Sequence, residues 1–132
     1  MKKNTNSLFS NYKEDLEKIY SLNYVIAIIQ FGSSLNNKTK SNLSDLDICI
    51  ITKKNISTKQ KEKILFYKDE TLDLNIFDDL GLPMQYEILT KGKIITNKKD
   101  IKPLIKSIKH EWNDFKPILN RIYIKKGLLP II

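Results

Sequence analysis

The apolar run YVIAIIQF, residues 24–31, constrains the fold more than any other segment of this chain. It has the length of one strand, carries no charge and is rich in β-branched residues, which indicates a strand buried on both faces. Such a strand needs material packed on each side of its sheet. With 132 residues and a 41% hydrophobic content, the chain is large enough to bury a core of this kind. We therefore predict an α/β or α+β fold, with a mixed sheet of about four to five strands flanked by helices.

Periodicity and end signals place the remaining elements along the chain. Apolar or alternating patterns predict further strands at residues 45–52, 71–78 and 93–96. The order of the strands in the sheet stays open. Helical spacing, capping boxes and proline positions predict four helices: residues 11–23 from an Asn11–Glu14 box, 57–67 from a Ser57–Gln60 box, 83–92 between Pro83 and Gly92, and 100–120 with a kink or end at Pro117.

Residues 1–132 are expected to form a single domain with an apolar C-terminal tail at about residues 121–132. The tail either completes the domain's own core or binds another protein, and the sequence favours neither. Cys49 is the only cysteine and lies in an apolar strand, so a buried, inert thiol is expected. No apolar run approaches the ~20 residues that span a bilayer, and the N-terminus does not resemble a signal peptide. These features predict a cytoplasmic protein without a membrane partner.

The net charge of +8 arises from 23 basic and 15 acidic residues. Such a charge attracts nucleic acid, polyphosphates or an acidic protein. All the basic residues except Arg121 are lysines, whereas surfaces dedicated to nucleic acid usually use more arginine. A lysine-rich composition also arises without any binding function. Nucleic acid is therefore a less favoured partner.

Two aspartates, Asp45 and Asp47, begin the second predicted strand. Residues two apart on a strand project to the same face, so their carboxylates lie side by side and favour a bound cation. Mg²⁺ prefers such oxygen ligands and shares them with substrate phosphates. Asp73 lies inside the next apolar strand and joins the pair if the two strands are neighbours. Three such carboxylates can hold two metal ions roughly 4 Å apart, an arrangement that serves phosphoryl and nucleotidyl transfer.

Gly32 and Ser33 follow the buried strand and precede a polar loop at residues 34–44. Glycine lets a ligand approach the backbone, and the amides and hydroxyl of such a turn can bind phosphate oxygens. Taken singly, this turn and the aspartates are more often structural, and Asp78–Asp79 is expected to form a turn or helix N-cap. Taken together on these elements, Gly32, Ser33 and the three aspartates favour a function.

These residues resemble a known pattern. Gly32–Ser33, then SDLDI at residues 44–48 and LDLNIFDD at residues 72–79, are similar to the motifs of the nucleotidyltransferase superfamily related to DNA polymerase β. The short length resembles its minimal nucleotidyltransferases, the MNT domains, as does PMQYEILTKGKIIT at residues 83–96. The resemblance covers about residues 24–96. The loop SLNNKTKSNL lacks the second glycine and the arginine that many minimal members carry there.

The resemblance implies a nucleotidyltransferase fold with the three aspartates at one end of the sheet. It implies two Mg²⁺ ions, a nucleoside triphosphate, attack of an acceptor hydroxyl on the α-phosphate and release of pyrophosphate. Carried over by position, Asp45 and Asp47 bind the metals, and Asp73 binds the catalytic metal and helps to activate the hydroxyl. Gly32 and Ser33 hold the triphosphate.

The minimal family also resembles antitoxins that are encoded beside HEPN-domain toxins. By that analogy, the protein transfers AMP from ATP to a hydroxyl of a HEPN partner and neutralises it. Two alternatives stay open at this point. One is a catalytically weak binding module that masks its partner, and the other is an enzyme that transfers a nucleotide to RNA.

Overall fold

The computed structural model describes residues 10–32 and 45–129. Every predicted helix and strand is present among them, within a few residues of its predicted bounds. The strands are β1 (Val25–Phe31), β2 (Leu46–Thr52), β3 (Leu72–Ile76) and β4 (Lys93–Asn97). The helices are α1 (Lys13–Tyr20), α2 (Thr58–Leu65), α3 (Leu82–Lys91) and α4 (Lys102–Lys125), and a 3-10 turn spans Phe77–Asp79.

The four strands form one mixed sheet in the order β3-β2-β1-β4. β1 pairs with both β2 and β4 in antiparallel fashion, whereas β2 and β3 are parallel and are joined by α2. The predicted class, a mixed sheet flanked by helices, is confirmed. The order that the sequence left open makes β2 and β3 neighbours.

The sheet is covered on both faces, as the apolar β1 predicts. On the first face, Val25 and Ile28 of β1 pack with the alternate residues of β2 and β3 against α1 and α2. On the second face, Ala27 and Ile29 pack with Ile51 of β2 against α3 and α4. The core therefore lies in two layers, one on each side of the sheet.

Cys49 lies on the second face of β2 and is fully buried. Burial, with a smaller contribution from the charge of Asp78, raises the pKa of its thiol to about 12. The thiol therefore stays protonated at physiological pH, and the predicted inert cysteine is confirmed.

The two predicted capping boxes have different outcomes. At α2, the Ser57 side chain accepts a hydrogen bond from the Gln60 amide, and the Gln60 side chain accepts one from the Ser57 amide, which confirms the box. At α1, the N-cap is Tyr12 and no side chain caps the helix, so the predicted Asn11 box is wrong there. The Tyr12 hydroxyl instead donates to Asp69, 3.0 Å away, because the turn after α2 packs beside it.

α4 is longer than predicted, because it passes through Pro117 and continues to Lys125. It ends where Gly127 adopts a φ of +77° and the Leu128 amide donates to the Tyr123 carbonyl over 2.8 Å, the pattern of a Schellman motif. The exposed apolar residues at this end do not complete the core: Ile118, Ile122, Ile124, Leu128 and Leu129.

Residues 130–132 of the predicted tail lie outside the described part of the chain. Among the helices that the structure describes, none has the length and apolarity needed to cross a bilayer.

Candidate active site

The parallel pairing of β2 and β3 brings two of the predicted site residues together. Asp47 and Asp73 are direct partners in the register of these strands, so their side chains emerge on the same face. Both side chains are partly exposed, whereas Leu46 and Leu72 beside them are buried on the opposite face. The sequence analysis expected Asp73 to join the pair only if its strand were a neighbour of the strand that follows Asp45. β2 and β3 are such neighbours.

The carboxyl group of Asp47 is affected by the charges of the other two aspartates. Partial burial is the largest cause of a raised pKa at Asp47, and the charges of Asp73 and Asp45 and a hydrogen bond with Asp73 add to it. Asp45 immediately precedes β2 and is exposed. The folded protein thus disfavours the ionised form of Asp47, which a bound cation would favour.

Gly32 lies beside this pair at the end of β1. Phe31 is opposite Asp47 in the β1–β2 ladder, so the chain turns away from the sheet next to the Asp47 carboxylate. Gly32 has a φ of +81°, and a Cβ added there would overlap Asp47 Oδ2. The backbone conformation favours glycine, and any larger residue would displace the Asp47 carboxylate. Ser33 and the predicted loop at 34–44 lie outside the described residues.

The sequence did not predict a role for two neighbours of Asp73. Asn75 Nδ2 donates to Asp73 Oδ2 over 3.2 Å, and Lys68 Nζ lies 3.2 Å from Asp73 Oδ1. The signal for Asn75 was present, since it is two residues after Asp73 on the same strand face. No local pattern indicated Lys68, because its contact depends on the path of the turn between α2 and β3.

A further pair of acidic residues, Asp78 and Asp79, has a different environment. Asp78 and Asp79 lie in the 3-10 turn after β3, which confirms the predicted turn. Asp79 Oδ1 forms an ion pair with Lys61 Nζ at 2.8 Å.

The donor atoms at the site suit magnesium. The carboxylates of Asp47 and Asp73, with Asp45 near them, supply oxygen ligands and negative charge, which are what Mg²⁺ prefers. Within residues 10–32 and 45–129, no three acidic, histidine or cysteine side chains are gathered closely enough to hold a metal ion as they stand. The metal-binding role of Asp45, Asp47 and Asp73 therefore stays a prediction.

Comparison with known proteins adds to this geometry. A sequence profile described as the nucleotidyltransferase domain matches residues 10–111. The chain belongs to this nucleotidyltransferase family. No curated protein shows significant similarity to it.

Chains from solved toxin–antitoxin complexes share the fold. A chain of a toxin–antitoxin complex with AMP-PNP is 18% identical with a TM-score of 0.57, over 83% of this chain and 97% of that one. A chain of the complex between the tri-AMPylated HEPN toxin of Shewanella oneidensis and its MNT antitoxin is 16% identical with a TM-score of 0.54, over 86% of this chain and 97% of that one. The MntA–HepT complex also matches, at 15% identity and a TM-score of 0.54, over 86% and 97%.

The Asn75 contact leads to a prediction for this site. We expect Asn75→Ala to lower nucleotidyl transfer by about tenfold, because Asp73 is a predicted metal ligand and partners that orient a metal ligand typically contribute roughly 10- to 100-fold. The measurement is the initial transfer rate, together with the Mn²⁺ affinity of the free protein. Asn97→Ala is the matched control, since Asn97 also lies on a strand and donates to a carbonyl, that of Lys99 at 2.8 Å. Equal effects of the two substitutions would contradict a specific role for Asn75.

Proposed function

We propose that this protein is a Mg²⁺-dependent nucleotidyltransferase that transfers AMP from ATP to a hydroxyl of a partner protein. The observation that carries the proposal is the parallel register of Asp47 and Asp73 beside the Gly32 turn, in a chain of the nucleotidyltransferase family. Paired carboxylates next to a tight glycine turn suit an anionic substrate that arrives with its metal ions.

In this proposal, Asp45, Asp47 and Asp73 hold up to two Mg²⁺ ions. When bound, these ions neutralise the triphosphate and increase the electrophilicity of its α-phosphorus. Gly32 lets the Asp47 carboxylate lie close to the backbone at the end of β1, and Ser33 is assigned to the triphosphate.

Asp73 has a second role in the reaction. The acceptor hydroxyl oxygen forms a bond to the α-phosphorus while the bond from that phosphorus to the bridging oxygen breaks, and pyrophosphate leaves with its electron pair. The hydroxyl proton passes to the Asp73 carboxylate, which Asn75 orients. The products are the AMP-modified acceptor and pyrophosphate, with the proton finally released to solvent.

The proposed partner is a HEPN-domain toxin. Structural relatives occur in complexes with HEPN toxins, one of them tri-AMPylated, and this similarity supports the same class of partner here. The end of α4 offers a surface for a protein, because a groove of about 520 Å³ is lined by Ile118, Ile122 and Ile124 with two basic residues. The expected compartment is the cytoplasm.

The test is a labelling reaction with α-³²P-ATP, MgCl₂ and a purified HEPN protein from the same genome. The wild type is compared with an Asp45→Asn/Asp47→Asn double variant, and total cellular RNA is present in a parallel reaction. We expect label on the HEPN protein with the wild type only.

The other outcomes are equally informative. A stable complex without label would overturn transfer in favour of a masking module. Label in RNA alone would favour the nucleic-acid-modifying alternative.

A further inference from the structure

Both oxygens of the Asp73 carboxylate are already engaged in this structure. Asn75 donates to Oδ2, and the Lys68 ammonium lies 3.2 Å from Oδ1. The side chain of Lys68 is 50% exposed and that of Asp73 is 37% exposed. The ion pair therefore sits at the surface, where one partner can leave without opening the core.

The turn that carries Lys68 is held by its neighbour Asp69. The Asp69 carboxylate accepts hydrogen bonds from the Thr71 amide at 2.9 Å and the Leu72 amide at 2.8 Å, and from the Tyr12 hydroxyl. These bonds, led by the one from the Thr71 backbone, lower the pKa of Asp69. The hydrogen bonds of this turn thus hold the backbone at Lys68 in a defined position next to Asp73.

A lysine and a metal ion compete at such a carboxylate. Mg²⁺ binds oxygen at about 2.0–2.1 Å, and a second positive charge at hydrogen-bond distance from the same oxygen repels it. Without any cation, however, Asp47 and Asp73 face each other as two like charges. Lys68 reduces the repulsion between Asp47 and Asp73 in the metal-free protein, but it also opposes the binding of a metal ion at Asp73.

We propose that Lys68 is a displaceable counter-ion of Asp73, which neutralises that carboxylate in the metal-free protein and leaves it when a divalent cation binds. This inference rests on the proposed function to the extent that it assigns a metal ion to Asp73. Lys68 is a positioning residue here, acting through Asp73. Its displacement makes the site bind divalent cations less tightly than its carboxylates alone would.

The experiment compares Lys68→Gln with the wild type in a Mn²⁺ titration followed by electron paramagnetic resonance, without nucleotide or partner. We expect Mn²⁺ to bind about two- to fivefold more tightly to the variant, which is the range that a lost surface ion pair supports. We also expect the variant to unfold at a lower temperature in EDTA, because the repulsion between Asp47 and Asp73 then has no counter-ion.

Lys61→Gln is the matched control. It removes the same charge and a comparable ion pair, Lys61–Asp79 at 2.8 Å, from a position outside the carboxylate pair. Its Mn²⁺ affinity should stay within the error of the wild type. An equal gain in both variants would show a general effect of net charge and would overturn the proposal.

A double-mutant cycle between Lys68 and Asp73 tests whether Lys68 acts through the Asp73 carboxylate. In the Lys68→Gln/Asp73→Asn double variant, we expect no tightening relative to Asp73→Asn alone. If Asp73→Asn weakens Mn²⁺ binding but Lys68→Gln leaves it unchanged or weaker, this inference fails and the metal site stands. If Asp73→Asn leaves Mn²⁺ binding unchanged, the assignment of a metal to Asp73 fails, and this inference fails with it.

Discussion

Replacing Asp47 by asparagine is expected to lower nucleotidyl transfer by roughly a thousand-fold or more, while making the metal-free protein harder to unfold. The loss follows from the metal-binding role proposed for Asp47, because a ligand of a catalytic metal supports several kcal/mol of transition-state stabilisation, and each ~1.4 kcal/mol is a tenfold change in rate. The gain in stability follows from the position of Asp47, which is partly buried and faces Asp73 and Asp45. A neutral amide of the same shape removes that repulsion.

The raised pKa of Asp47 predicts how the stability gained by Asp47→Asn depends on pH. The pKa of Asp47 in the folded protein is raised above its ordinary value of 3.8, so folding favours the protonated carboxyl. Below its ordinary pKa the Asp47 carboxyl is protonated in both the folded and the unfolded protein and does not lower the free energy of unfolding. As the pH rises through the raised pKa, the carboxyl ionises in the folded protein and stability is lost. The unfolding temperature of Asp47→Asn in EDTA should therefore exceed that of the wild type increasingly as the pH rises from the ordinary value of 3.8 through the raised pKa, and the difference should then level off. Adding Mg²⁺ should narrow the difference.

Asp79→Asn provides the control for both measurements. It makes the same change of charge at an exposed residue that is paired with Lys61, outside the carboxylate pair. We expect it to retain the transfer rate and to show no stabilisation that grows with pH. Substantial transfer by Asp47→Asn, at a tenth of the wild-type rate or more, would remove Asp47 from the proposed metal site.

Replacing Gly32 by alanine is expected to lower the free energy of unfolding by about 1–3 kcal/mol and to reduce transfer about a hundredfold. Two causes act together. A side chain at a φ of +81° costs roughly 1–2 kcal/mol, and the added Cβ overlaps the carboxylate of Asp47. Asp47 must then move, and a displacement of about 1 Å at a reacting centre can cost a hundredfold in rate. Chemical denaturation and the labelling assay measure the two effects.

Gly127→Ala separates the two causes. Gly127 has nearly the same conformation, with a φ of +77°, but no atom lies within 4 Å of a Cβ built there. We expect it to lose only the conformational part, about 1–2 kcal/mol, and to keep its transfer rate. Similar losses of activity in both variants would mean that backbone strain, and not the approach to Asp47, is responsible for the effect at Gly32.

The sequence by itself determined the elements of this protein and the side chains that share a strand face. Such features depend on residues a few positions apart: the apolar run of β1, the Ser57 capping box, and the period of two that aligns Asp73 with Asn75. The resemblance to nucleotidyltransferases depended on the same short motifs, and the family match over residues 10–111 confirms it.

Only the tertiary structure decided which elements meet. The parallel register of Asp47 with Asp73, the nearness of Gly32 to Asp47 and the ion pair of Lys68 all join segments that are distant in the chain. Pairing of this kind is set by how whole layers pack, which no local pattern encodes. The same holds where local signals failed: α4 continues through Pro117, and Tyr12 binds a neighbouring turn at the point where a capping box was predicted, because long-range contacts outweigh local helix preferences.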